Sequence, residues 1–227
     1  ATAASTYTGT AGADTFIMMN KADVIDGSTG TNDTLDINKA FVLGGIEIDL
    51  SSTTDQVTTF NGSANAAVQG GFENVDVAGV TGSFGAQITA ISTGSTITGT
   101  ANADVITGGA DIDIITGGAG ADTISGGAGV DNVHGTFTGA ATVKMSGVER
   151  LHIESDATGT LDLSGVTDLA RVYVDDDNTA ATTTLTDLVS GADVLLTTGV
   201  TASNLIVDLK DKALLDNTLN LELTATV

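Results

Sequence analysis

GTANADVITGGADIDIITGGAGADTISGGAGVDNVH, residues Gly99–His134, divides without remainder into four nine-residue units: GTANADVIT, GGADIDIIT, GGAGADTIS and GGAGVDNVH. Each opens on glycine, carries aspartate at its sixth place (Asp104, Asp113, Asp122, Asp131) and an aliphatic residue at its eighth (Ile106, Ile115, Ile124, Val133). A fixed period decides the fold first, because a repeat is one structural unit that buries its apolar side only by stacking on its neighbours. Segments dominated by Gly, Ala, Asn and Asp turn but build no core, whereas three residues centred on a branched aliphatic make one short strand. Place four holds Asn102, Asp111, Gly120 and Gly129, residue types that tolerate left-handed backbone angles. The stretch therefore predicts turn plus strand in each unit. Two units then close one flattened coil of eighteen residues, with the aliphatics inside and a column of turns down each edge.

Stacking alternate units brings Asp104 over Asp122 and Asp113 over Asp131. Superposed carboxylates repel unless a cation lies between them. A hard cation with oxygen ligands is the natural occupant, and tight turns expose backbone carbonyls to complete its shell. The expected ligands are the four aspartates, with Gly109, Gly117, Gly118, Ala119, Gly120, Gly126 and Ala128 of the intervening turns, and the expected cofactor is calcium, several ions of it. Asp is also an ordinary turn residue, but recurrence at one place of four tandem units favours ligation. Asp111 either adds a ligand or merely permits its turn.

The pattern GGxGxD followed by x, an aliphatic and x resembles the repeats-in-toxin (RTX) family over all four units. The resemblance implies a parallel β-roll that binds calcium between successive coils, in a protein exported by a type I bacterial secretion machine. It implies little more, since such rolls accompany toxins, proteases, lipases, epimerases, adhesins and surface-layer proteins.

Working outward, STYTGTAGAD (Ser5–Asp14) and STITGTANAD (Ser95–Asp104) agree at eight of ten places. The units continue as GTAGADTFI, MMNKADVID and the ten-residue GSTGTNDTLD, which place carboxylates at Asp14, Asp23 and, displaced by one inserted residue, Asp33. Residues 1–36 are thus expected to form a short degenerate roll, with one good site between Asp14 and the turn around Asp33 and a poorer one near Asp23. A second echo follows each roll: GFENVDV (Gly71–Val77) and GVERLHI (Gly147–Ile153) share glycine, an apolar residue and glutamate before alternating aliphatics. GIEIDLSS (Gly45–Ser52) alternates with period two, as a strand facing a core does.

Beyond Gly135, VERLHI, TLDLS, LARVYV, ADVLL, SNLIVDL and NLELTAT keep that alternation, and the spacings Leu151 to Val172 and Val172 to Val194 are coil lengths. The fold expectation is all-β: RTX β-roll segments continuing into right-handed parallel β-helix. Residues 37–98 and 136–227 form solenoid around the roll of 99–135, and a β-sandwich is the alternative for the C-terminal part. Short helices are conceivable only at Thr184–Ser190 and Leu209–Asp216.

Composition narrows the function. The 29 acidic residues, 24 of them Asp and 5 Glu, face 7 basic ones, a formal charge of −22 that repels nucleic-acid phosphates. The Asp bias favours ligation from turns, and a chain without bound cation is expanded by self-repulsion. There is no Cys, so neither disulfide nor thiolate ligation is available. No run of eighteen apolar residues exists, so no membrane-spanning helix is expected. Ala1 in place of Met, without a visible signal peptide, suggests a fragment or processed product.

His134 and His152 have no companion ligands and are expected at strand edges; Glu149, Arg150 and Glu154 suggest a surface ion pair; Asp175, Asp176, Asp177 and Asn178 suggest a solvated loop. Neither HExxH nor GxSxG nor a phosphate-loop GKS/GKT occurs, and no catalytic set is apparent, so an enzyme is not expected. The Thr-, Ala-, Gly- and Asp-rich, Pro-free composition resembles calcium-dependent surface-layer proteins of Gram-negative bacteria, of the Caulobacter kind. That resemblance implies a secreted structural protein at the extracellular cell surface, self-associating into a lattice, with a cell-surface polysaccharide as a second partner. LLDNTLNLELTATV at the C-terminus is either a secretion signal or a last rung. The rival expectations are the calcium-binding region of a secreted epimerase or protease, and part of a large RTX adhesin.

Overall fold

Ile106 and Ile124 are direct partners in one parallel sheet, and Ile97, Ile115 and Val133 follow one another in the sheet opposite. Each step is eighteen residues, so two nonapeptides make one coil. All five side chains are buried between the two sheets, while their strand neighbours point outward. This is the alternation a pleated strand imposes. Burying one such aliphatic contributes about 1.5–3 kcal/mol, and the stack repeats it at every rung.

This computed structural model describes residues 4–135, 139–141, 144–154, 159–166, 168–175, 182–189, 191–196, 204–209 and 220–223. The chain is an all-β parallel solenoid of about eight turns, with no helix among the described residues. One wall is a continuous sheet of ten strands, in spatial order Thr15–Ile17, Thr34–Asp36, Asn74–Asp76, Thr96–Thr98, Ile114–Thr116, Asn132–Gly135, Arg150–Glu154, Arg171–Asp175, Asp193–Leu196 and Asn220–Leu223. Strands from residues 1–36 and from residues 99–135 both join this one wall. The opposite wall is in pieces: Thr6–Thr8, Val24–Asp26 and Gln69–Gly70; then Ile46–Asp49, Ala86–Thr89, Val105–Thr107, Thr123–Ser125 and Lys144–Ser146; then Gly139–Ala141, Gly159–Asp162, Thr182–Leu188 and Asn204–Leu209.

Irregularities fall where the nonapeptide period fails. Between the rolls the chain leaves the coil: Val57–Phe60 pairs antiparallel with Ile46–Asp49 and again with Ser63–Ala64. The 37–98 segment is therefore solenoid with an antiparallel excursion. Phe41 and Phe60 pack edge to face beneath it, and Phe72 meets Phe16 in the same way. Beyond the central roll the coils widen, and Leu151, Val172 and Val194 stand in register on successive rungs. Every pairing there among the described residues is parallel, as in a solenoid and not a sandwich.

The helix expected at Thr184–Ser190 is instead part of the strand Thr182–Leu188, bulged between Leu185 and Leu188 with Asp187 at φ 57°. Leu185 and Leu188 are three residues apart, as on a helix face, but parallel partners on both sides determine the outcome. The other expected helix begins at Leu209, which ends the strand Asn204–Leu209, and its residues 210–216 lie outside the described residues.

Candidate metal centre

The aspartate of each nonapeptide stands one residue before its strand, where the chain leaves the turn and enters the wall. Its carboxylate makes two kinds of contact. Backward, it closes its own turn: Thr100 N–H donates to Asp104 Oδ2 at 2.7 Å, Gly109 N–H to Asp113 Oδ2 at 2.6 Å, and Thr10 N–H to Asp14 Oδ2 at 2.7 Å. Across the coil, its Oδ1 accepts the N–H of the residue at the same place one coil earlier. Asp104 N–H donates to Asp122 at 2.9 Å, Asp113 N–H to Asp131 at 2.8 Å and Asp14 N–H to Asp33 at 2.8 Å. Ala86 N–H and Ser95 N–H do the same to Asp104 and Asp113. Each carboxylate thus staples two coils together.

These contacts define columns. The ten-stranded wall carries Asp14, Asp33 and Glu73, then Ser95, Asp113, Asp131 and Glu149 at equivalent places. The opposite wall carries Ala86, Asp104 and Asp122. The structure therefore brings together Asp104 with Asp122, Asp113 with Asp131, and Asp14 with Asp33; the inserted residue before Asp33 is absorbed in its turn. Asp23 is buried but stands alone: its Oδ1 accepts Ser5 N–H at 3.0 Å, and Ala67 occupies the same place on the next rung. Asp111 is exposed at its turn, near the Asp113 carboxylate.

The turn backbones stack almost in contact. A Cβ on Gly108 would lie 1.8 Å from the Gly126 carbonyl oxygen, and one on Gly99 would lie 2.4 Å from that of Gly117. These carbonyls lie beside the carboxylates, for the same Cβ positions fall 2.7 Å from Asp113 Oδ2 and Asp104 Oδ2. Gly118 and Gly120 take φ of 92° and 133° in their turn, and Ala119 and Ala128 are exposed at turn apices. The Gly109 carbonyl already accepts Ala128 N–H at 3.1 Å.

Electrostatically the columns are unbalanced. Asp104, Asp113, Asp122 and Asp131 are all buried, and no ion pair reaches them among the described residues. Burial pushes the Asp122 carboxyl up to about 7, against the lowering effect of the Asp104 N–H, and the Asp104 charge adds to the rise. Burial likewise raises Asp131 to about 6, with the Asp113 and Glu149 charges adding to it, and raises Asp104 and Asp113. Two carboxylate oxygens, Asp33 Oδ2 and Asp131 Oδ2, are buried with no hydrogen-bond partner. A buried acceptor of this kind is costly.

A hard divalent cation fits this donor set. Stacked carboxylates, adjacent glycine carbonyls and orphaned anionic oxygens are oxygen ligands only, and the chain has no thiol. Among the described residues no three His, Cys, Asp or Glu side chains converge, so carboxylates in pairs must share a cation with backbone carbonyls and water. The pairs that would hold it are Asp104 with Asp122, Asp113 with Asp131, and Asp14 with Asp33.

The histidines are elsewhere. His134, His152 and Tyr173 form an outward stack of near-parallel rings, with centroids 4.3 and 4.1 Å apart, on interior strands of the ten-stranded wall rather than at strand edges. No ion pair joins Glu149 to Arg150; Glu149 Oε2 accepts the Asp131 N–H, and the exposed pair is Arg171 with Asp193 at 3.1 Å. Asp175, expected in a solvated loop, instead ends the strand Arg171–Asp175; residues 176–178 and the Glu154 side chain lie outside the described residues. The sequence reading missed Glu73 and Glu149 as members of the acid column. Their signal was present: E-x-aliphatic in ENV and ERL occupies the place of D-x-aliphatic in DVI and DNV.

Residues 96–135 match the RTX calcium-binding nonapeptide repeat, in four copies. No curated protein and no solved structure matches the chain at a significant level. The matched segment is a calcium-binding RTX β-roll, a type of repeat typical of secreted proteins.

Proposed function

We propose that the chain carrying this RTX roll is a calcium-dependent structural protein, secreted through a type I system and folding outside the cell, where it assembles into a bacterial surface layer. The observation that carries the calcium switch is the column of buried, uncompensated carboxylates. Burial raises the Asp122 and Asp131 carboxyls, so a counter-charge between coils stabilises the folded coil in which both are ionised. Bound calcium supplies that charge.

The aspartates hold the turns in register through their Oδ1 contacts, and the glycines let successive coils approach closely enough for carbonyls and carboxylates to share a ligand. Ligand that binds only the folded state stabilises it by mass action, about 1.4 kcal/mol per site at ten times the dissociation constant. Three carboxylate pairs together then contribute about 4 kcal/mol, a large share of an ordinary domain's stability. Roughly millimolar extracellular calcium fills sites with dissociation constants on the order of 10⁻⁴ M, while scarce cytoplasmic calcium leaves them empty and the chain exportable.

The lattice is supported by the surface-layer-like composition and by the want of a recognisable catalytic motif. Circular dichroism and light scattering through a calcium titration test it. Folding followed by ordered growth into sheets supports assembly. Folding without growth leaves a calcium-binding module and removes the lattice.

A further inference from the structure

Gly71-Phe72-Glu73 and Gly147-Val148-Glu149 occupy equivalent places, each on the coil that ends a roll. In both, the glycine has positive φ (78° and 58°) and the apolar residue is fully buried. In both, the glutamate Oε2 accepts the N–H of the aspartate one coil below, at 2.9 Å from Asp33 and 2.8 Å from Asp131. Those same two aspartates, each 0 % exposed, carry the orphaned buried oxygens. In Asp104 and Asp113 the corresponding Oδ2 takes a turn N–H; in Asp33 and Asp131 it is left over. The acid column then stops, since the next rung places Ser95 above Glu73 and Ala170 above Glu149.

We propose that Glu73 and Glu149 are cation ligands that close the two rolls, each forming a terminal site for a hard divalent cation with the Oδ2 of the aspartate beneath it. Neither glutamate lies in the matched repeats, and the same glycine, apolar residue and glutamate recur after both rolls. An anionic oxygen without a hydrogen-bond donor, beside a second carboxylate, has a metal ion as its natural partner. The carbonyls of Gly71 and Gly147, stacked over Gly27 and Gly126, lie on the same side as these carboxylates and offer neutral oxygen ligands. Glutamate replaces aspartate on the last acidic rung of each roll, where its Oε2 makes the contact to the aspartate N–H below that Oδ1 makes elsewhere in the column. Each site finishes the column with charge balanced at its last aspartate.

The inference rests on calcium binding by the roll, and its test separates the two. Glu73→Gln and Glu149→Gln keep an oxygen acceptor for the aspartate N–H and remove only the charge. Bound calcium is counted by flow dialysis with radioactive calcium, and folding at saturating calcium is followed by circular dichroism. Each substitution is expected to remove one ion, and the double variant two. An unchanged count in folded variants overturns the terminal sites; a wild-type chain that binds no calcium overturns the calcium reading of the roll itself. Anomalous scattering from wild-type crystals grown with calcium reads the same sites without any variant. Peaks between Asp33 and Glu73 and between Asp131 and Glu149 support the proposal. Peaks at Asp104–Asp122 with none at either glutamate refute it.

Discussion

The backbone N–H of Asp104 donates to Oδ1 of Asp122, one coil further on, at 2.9 Å. One carboxylate oxygen is thereby committed to holding the coils together, whatever else the side chain binds. A cation at this column competes for the charge of a group that is already a structural staple, and the two roles separate by substitution.

Asp122→Asn keeps an Oδ1 acceptor for Asp104 N–H and removes a buried charge raised by burial to about 7. In chelator at pH 7.5 the variant is expected to be about 1–2 kcal/mol more stable than the parent. With calcium in excess the order reverses, because a ligand has been lost. Urea unfolding in chelator and in calcium reads both; equal calcium stabilisation of parent and variant would remove Asp122 from the ligands.

The pH dependence follows from the same groups. Asp104, Asp113, Asp122 and Asp131 all have raised pKa in the fold. Between the unfolded value near 4 and the raised values, the folded chain holds protons that the unfolded chain has released, so stability falls as pH rises. The calcium-free chain is expected to melt at a higher temperature at pH 5 than at pH 8, with the loss running from about pH 4 and levelling off as Asp131 and Asp122 ionise near 6 and 7. Excess calcium flattens the slope by displacing those protons. Thermal melts in chelator across this range check the sign, and a flat profile would contradict the uncompensated column.

Glycine substitutions are expected to divide by what lies above them. Gly108→Ala places a Cβ 1.8 Å from the Gly126 carbonyl oxygen, a backbone atom that yields only if the coils part. It is expected to cost about 1–3 kcal/mol or more and to weaken calcium binding. Gly12→Ala meets nothing closer than 3.7 Å and is expected to be neutral or to stabilise by about 0.4–1 kcal/mol. Paired denaturation curves decide, and similar losses at both positions would show that coil spacing is not the constraint.

Adjacent strand residues should differ as sharply. Ile115→Ala opens a cavity between the walls and is expected to cost about 2–5 kcal/mol. Ile114, its 44 % exposed neighbour, is expected to accept Thr with a change within about 0.5 kcal/mol. Denaturant midpoints for the two variants measure the period-two alternation directly.

The roll was legible because every rule coincides there: nine-residue recurrence, glycine at the close approaches, one aliphatic per strand. The pairing of Asp14 with Asp33 was legible despite the inserted residue, since the flanking strands kept their order. Thr182–Leu188 was not, because Leu185 and Leu188 read as a helical pair until strands far away in sequence took up its hydrogen bonds. The excursion at Val57–Phe60 was likewise hidden, since period-two alternation marks a strand without saying whether its partner runs parallel.

The sequence by itself determined the coil length, the inward aliphatics, the stacked aspartates and the kind of cation they suit, because all of these are consequences of local spacing. Only the tertiary structure decided that both rolls share one unbroken wall, that Glu73 and Glu149 stand in the acid column, and that Asp33 and Asp131 each keep an oxygen without a donor. Those facts depend on register between segments up to forty residues apart. Register is set by how coils of unequal length pack: E-x-aliphatic marks each glutamate as a candidate, and only the packing shows which aspartate lies beneath it.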